Sequence, residues 1–112
     1  MSGYMISPSL LSPYPHGNTG QLTVGTTVKN LKTATYDQDL TIWRTKCNAV
    51  ILKADDDNSG NIYIGFSKDV SSSNGFKLIA SQAVALAIAD LSMIYVIADA
   101  PNQKLHILAL RQ

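Results

Sequence analysis

Asp55, Asp57 and Ser59 stand at alternate positions ahead of Gly60 and Ile62. Oxygen-bearing side chains at that spacing, then a glycine and an apolar residue, match the first eight positions of a calcium loop. A complete loop also needs a bidentate carboxylate at its twelfth position, where this chain has Phe66. The flanking residues read as strands rather than helices. Asp, Asn, Ser and Gly are equally the residues of a polar turn, because their side chains bond the nearby backbone and tolerate left-handed dihedrals. The turn is the preferred reading. Asp55, Asp57 and Ser59 remain the metal candidates, with no resident metal expected.

Other reactive groups are scattered. His16 and His106 lie far apart, and neither has a neighbour at metal-ligand spacing. Cys47 is the one cysteine, so no intrachain disulfide forms, and its place at the head of an apolar run reads as a buried, inert thiol. No Gly-x-Ser-x-Gly elbow surrounds any serine. All eight acids are aspartates, most of them in turn-like segments, so no pair of carboxylates set for acid-base work is indicated. No glycine-rich phosphate loop ending in Lys-Ser or Lys-Thr is present. The expectation is a non-enzymatic chain without a cofactor. A histidine held against an aspartate in a sheltered cleft would argue the other way. Trp43, Tyr36, Tyr63 and Tyr95 have the chemistry to line a sugar or peptide groove, but aromatics at strand positions more often pack on a sheet.

Composition narrows the partners. The 112 residues carry a net charge of +1, and 15% are charged, below the usual ~25%. The seven lysines and two arginines form no basic run, which disfavours nucleic acid. No segment approaches the ~20 apolar residues of a membrane helix, so no membrane association is expected. The first residues lack the charged and apolar regions of a signal peptide. These features predict a chain that is soluble or part of a soluble assembly.

The elements that must position these groups are strands. Residues 1–20 are rich in Pro, Gly and Ser and read as an extended arm. The arm also carries Tyr4, Met5, Ile6, Leu10, Leu11 and Tyr14, apolar residues that a disordered tail normally lacks. They are the candidate anchors, packed either on the arm's own domain or on a neighbouring subunit, with the neighbour preferred. From Gln21 onward the apolar rhythm has a period of two. Leu22 and Val24 alternate, as do residues 39–43. Residues 47–54 form a fuller apolar run suited to a central strand, and the polar turn 55–60 predicts a hairpin between it and residues 61–67. Residues 76–79 form a short strand. Residues 83–89 have helix-favouring alanines, yet Val84, Leu86 and Ile88 alternate with them, which predicts a strand. Residues 93–98 and 104–110 complete the set, joined by a turn at Ala100-Pro101-Asn102. Seven or eight short strands at this spacing predict an all-β domain over 21–112: a single antiparallel β-sandwich or jelly-roll-like barrel with an extended N-terminal arm. Tyr63 and Tyr95 occupy the same place in two echoed segments, residues 60–65 and 93–97, and would stack across the sheet if those strands are neighbours.

Residues 47–110 resemble a module of small tailed-bacteriophage virion proteins. The likeness runs through Val50-Ile51-Leu52-Lys53-Ala54, an acidic turn, Gly60-Asn61-Ile62-Tyr63-Ile64-Gly65 and Val70-Ser71-Ser72-Ser73-Asn74-Gly75. It continues through Phe76-Lys77-Leu78, Leu91-Ser92-Met93-Ile94-Tyr95-Val96-Ile97-Ala98-Asp99 and Gln103-Lys104-Leu105-His106-Ile107-Leu108. The family often has a Pro-Gly-containing link before its penultimate strands, where this chain has Ala80-Ser81-Gln82. The resemblance implies a β-sandwich or jelly-roll subunit of the head-decoration (cement) or fibre-base type. It carries no catalytic motif. The expected role is a capsid decoration subunit that binds the major capsid protein on the outer surface of the virion, after assembly in the host cytoplasm. A homotrimer is the expected oligomer. A tail-fibre or spike module that binds host glycan is the alternative.

Overall fold

Alternation along the chain builds two sheets. The computed structural model describes residues 16–33 and 46–111. Within them eight strands follow in order: β1 (His16–Val24), β2 (Lys29–Asn30), β3 (Ala49–Ala54), β4 (Ile62–Gly65), β5 (Phe76–Leu78), β6 (Ala83–Leu86), β7 (Tyr95–Ala98) and β8 (Gln103–Arg111). One sheet has the order β1-β8-β3-β6 and the other β2-β7-β4-β5. Every strand pairing is antiparallel. Among the described residues β4 and β5 are the one consecutive pair joined within a sheet, and every other connection crosses between sheets. That is the arrangement of an eight-stranded jelly roll.

The register decides which residues meet. Gly20, Ile107, Leu52 and Val84 form one row across the first sheet, and Leu22, Leu105 and Ala54 form the next. Across the second sheet the matching rows are Leu78, Ile62 and Ala98, and Ile64 with Val96. These inward rows close on one another as a single apolar core, with Leu31, Leu91, Ile94 and Cys47 at one end. The opposite face of the first sheet carries Gln21, His106, Lys53 and Ala83 in one row and Thr19, Leu108, Ile51 and Ala85 in another. Residues 83–86 form a strand despite their alanines. Val84 and Leu86 pack on the core while Ala83 and Ala85 face outward. Tertiary burial of the large residues outweighs a helix propensity that is worth only tenths of a kcal/mol per residue.

Several sequence expectations change. β3 and β4 do not form a hairpin: β3 pairs with β6 and β8, and β4 with β5 and β7. The 55–61 segment instead carries the chain from one sheet to the other. Period-two patterning reveals that a strand exists but not which strand lies beside it. β1 begins at His16, inside the segment read as the arm, and Gly17 and Gly20 lie within the strand. Nine successive pairings to β8 hold them there. Tyr63 and Tyr95 do lie on adjacent strands and on one face. Tyr63 is opposite Ile97 and Tyr95 opposite Gly65, which makes the two rings diagonal neighbours. Two-residue β2 ends where Asn30 caps a helical turn at residues 31–33. Its Oδ1 accepts from the Lys32 and Thr33 amides, and its Nδ2 donates to the Ser92 carbonyl at 2.8 Å. Where the resembled family has its Pro-Gly link, Ser81 takes the left-handed conformation (φ 73°) that glycine adopts without cost.

The two faces predict opposite sensitivities. Ile107→Ala, in the core, is expected to cost about 2–5 kcal/mol. Lys77→Ala, on the exposed face of β5, is expected to change stability by less than about 0.5 kcal/mol. Denaturant unfolding of both variants checks the assignment of faces.

Candidate functional site

Polar side chains concentrate at one end of the sandwich, where the β3–β4 crossover meets the β7–β8 turn. Gln103 sits at its centre and is only 3% exposed. Its Oε1 accepts from the Gly60 amide at 2.7 Å. Its Nε2 donates to the Pro101 carbonyl at 2.8 Å and to Ser59 Oγ at 3.2 Å. Asn58 prolongs the β8 ladder onto the crossover: its Nδ2 donates to the Lys104 carbonyl and its Oδ1 accepts from the Lys104 amide. Asp99 accepts from the Asn61 amide at 2.8 Å, from Asn61 Nδ2 at 3.0 Å and from the Tyr63 hydroxyl at 3.3 Å. A Cβ on Gly60 would fall 2.5 Å from Asp99 Oδ1 and 2.8 Å from Ala100 Cβ, so close approach requires glycine there.

This network accounts for the calcium-like spacing. Asp55 Oδ2 accepts from the Asp57 amide at 3.0 Å, the local bond of an aspartate turn. Asp55 Oδ1 meets His106 Nε2 at 2.6 Å. Ser59 Oγ faces Gln103. Asp55 and Ser59 are thus engaged with His106 and Gln103, as the side chains of a polar turn. No group of three or more His, Cys, Asp or Glu set to hold a metal occurs among the described residues.

The His106–Asp55 pair is the arrangement that would speak for catalysis, and it sits in the open. The two side chains are 43% and 24% exposed. A shallow groove of about 280 Å³ runs beside it, lined by Thr19, Gly20, Ile51, Lys53, His106, Ile107 and Leu108. The cross-strand neighbours of His106 are Gln21 and Lys53. Its Nε2 meets Asp55, so the pair as placed ties β8 to the crossover. Lys53 in turn bridges to Asp56 at 3.3 Å, and Asp56 accepts from the Ser81 hydroxyl at 2.7 Å.

These bonds lower three carboxyls below the ordinary aspartate value of 3.8. For Asp55 the main cause is the His106 hydrogen bond, followed by the Asp57 amide. For Asp56 it is the Ser81 hydroxyl and then Lys53. For Asp99 it is the Asn61 amide.

A second concavity lies at the opposite end of the second sheet, in the β4–β5 loop. It measures about 320 Å³ and is lined by Gly65, Phe66, Ser67, Asp69, Val70 and Asn74. Phe66 is 64% exposed. The loop folds back on the sheet, with Val70 buried against Gly65.

The candidate anchors Tyr4, Met5, Ile6, Leu10, Leu11 and Tyr14 lie outside the described residues, as do Tyr36 and Trp43. Cys47 is buried, and its thiol donates to the Ile88 carbonyl at 3.4 Å. Sequence reasoning missed Gln103 and Asp99. The signal for Gln103 was present: it shares the inward parity of Leu105 and Ile107, so a polar side chain was headed for an apolar face. Comparison with protein families, curated proteins and solved structures finds no match. The likeness to phage virion modules thus rests on the sequence blocks alone.

Two outcomes are expected. Gln103→Leu keeps the volume but strips the Gly60 amide and Pro101 carbonyl of their partner, at a cost of about 1–3 kcal/mol in denaturant unfolding. Lowered carboxyl pKa values mean that the native state holds fewer protons than the unfolded state in acid. Their stabilisation is complete above pH 3.8 and declines as pH falls through the native values. Asp99→Asn should flatten that acid decline in a pH-resolved unfolding series. An unchanged slope would show that Asp99 does not titrate against the fold.

Proposed function

We propose that this chain is an adhesive structural subunit, a virion decoration protein that binds the outer capsid surface and joins major capsid subunits. The observation that carries the reading is the strand order of the two sheets, an architecture used by viral capsid and lectin domains. Fold-level analogy and the sequence resemblance together support it. The described polar clusters also favour it, since Gln103, Asp99 and Asn58 are spent on holding loops rather than left poised for turnover. The arm supplies affinity through Tyr4, Met5, Ile6, Leu10, Leu11 and Tyr14. One arm yields only a few kcal/mol at about 25 cal/mol per Å² of apolar area. Three arms on a homotrimer act together, because the first contact raises the effective concentration of the next. A glycan-binding module is the rival, and the exposed Phe66 beside the β4–β5 concavity speaks for it.

The test is removal of residues 1–15, which spares β1. The shortened chain should fold, as read by circular dichroism, and lose occupancy on empty heads. Unchanged occupancy would take the arm out of the mechanism.

A further inference from the structure

We propose that the β4–β5 loop carries a shallow binding site for a neutral saccharide, built on Phe66, Asp69 and Asn74. The loop is already organised. Asn74 Oδ1 accepts from the Ser71 amide at 2.8 Å and its Nδ2 donates to the Asp69 carbonyl at 3.2 Å. Ser67 Oγ accepts from the Asp69 amide at 3.1 Å, and the Val70 amide donates to the Ser67 carbonyl at 3.1 Å. Close packing holds it on the sheet, because a Cβ at Gly75 would fall 2.7 Å from Tyr63 Cβ. A loop fixed before binding loses little entropy when a ligand arrives.

What this order leaves unused points to the ligand. Phe66 is held largely in water, with its neighbour Val70 taking the buried place against the sheet. The Asp69 carboxylate takes no hydrogen bond from the described residues, whose bonds reach only its amide and carbonyl. Asn74 Nδ2 has a second hydrogen to give, and the Ser67 hydroxyl has one. The pocket thus joins a flat apolar ring to one strong acceptor and two donors within about 320 Å³. A pyranose has the complementary surface: an apolar C–H face for the ring, and hydroxyls at its edge for a carboxylate and an amide. Phosphate is disfavoured, since Lys68 is the one cation in the loop and Asp69 offsets it. A lipid chain is disfavoured too, since the concavity is shallow and three of its six lining residues are polar. One such site binds weakly, and repeated copies on an assembly raise its avidity. The site goes beyond the assembly role and stands or falls apart from it.

The test is a nuclear magnetic resonance titration of the isotope-labelled full chain with four probes: methyl glucoside, methyl galactoside, N-acetylglucosamine and maltohexaose. At least one should shift amides clustered in residues 65–75. Phe66→Ala and Asp69→Asn should each weaken that binding about tenfold. Asp69→Asn keeps the side-chain volume and so guards against a folding artefact. Phe76→Ala removes an exposed phenylalanine outside the pocket and should leave binding unchanged. The proposal is overturned if none of the four sugars moves the loop, if the shifts cluster elsewhere, or if both pocket variants bind like the native chain.

Discussion

One buried amide holds the two sheets in relation to each other. Gln103 opens β8, the strand that pairs with both β1 and β3, and its side chain reaches the crossover that leads into the other sheet. A buried amide without partners costs free energy, whereas one with every partner supplied fixes a geometry. Here both donors and the acceptor of Gln103 are used. Around it Asn58 copies the backbone ladder, and Asp99 gathers Asn61 and Tyr63. The apolar faces would attract each other in many relative positions, because burial has no direction. The polar end selects one of them.

Much of the fold is visible in the residue pattern, and the limits have physical causes. The rhythm of Val50, Leu52 and Ala54, and of Leu105, Ile107 and Ala109, names the inward faces directly. Val84 and Leu86 show a strand through their alanines. Partner choice is different, because alternation describes a strand's faces and not its edges. The crossover after β3 therefore looks like a hairpin until pairing is seen. The start of β1 hides behind Gly17 and Gly20, residues that favour turns locally but are recruited by β8. The His106–Asp55 contact spans 51 positions, and only the register of β3 against β8 produces it. The aspartate turn is legible as a turn, while its use of Gln103 and Lys104 as partners is not.

The division of labour between the two ends of the sandwich fits the proposed adhesive role. At the end with Gln103, polar groups are consumed by the fold. At the other, the β4–β5 loop shows Phe66 to solvent together with Asp69, whose carboxylate takes no hydrogen bond from the described residues, and Phe76 and Met93 are also exposed at this end. Stability and contact surface then rest on different residues, so surfaces can vary without loosening the core. The groove beside His106 sits between these regimes: its histidine is occupied, while Ile51 and Leu108 offer an apolar strip on the outer face.

Native-state hydrogen exchange tests the role of the polar end most directly. If Gln103 joins the crossover to the core, the Gly60 and Asn61 amides open only when β8 opens, and they exchange with the same free energy as the amides of Leu105 and Ile107. Exchange of Gly60 and Asn61 at the rate of an unprotected loop, with β8 still slow, would contradict it.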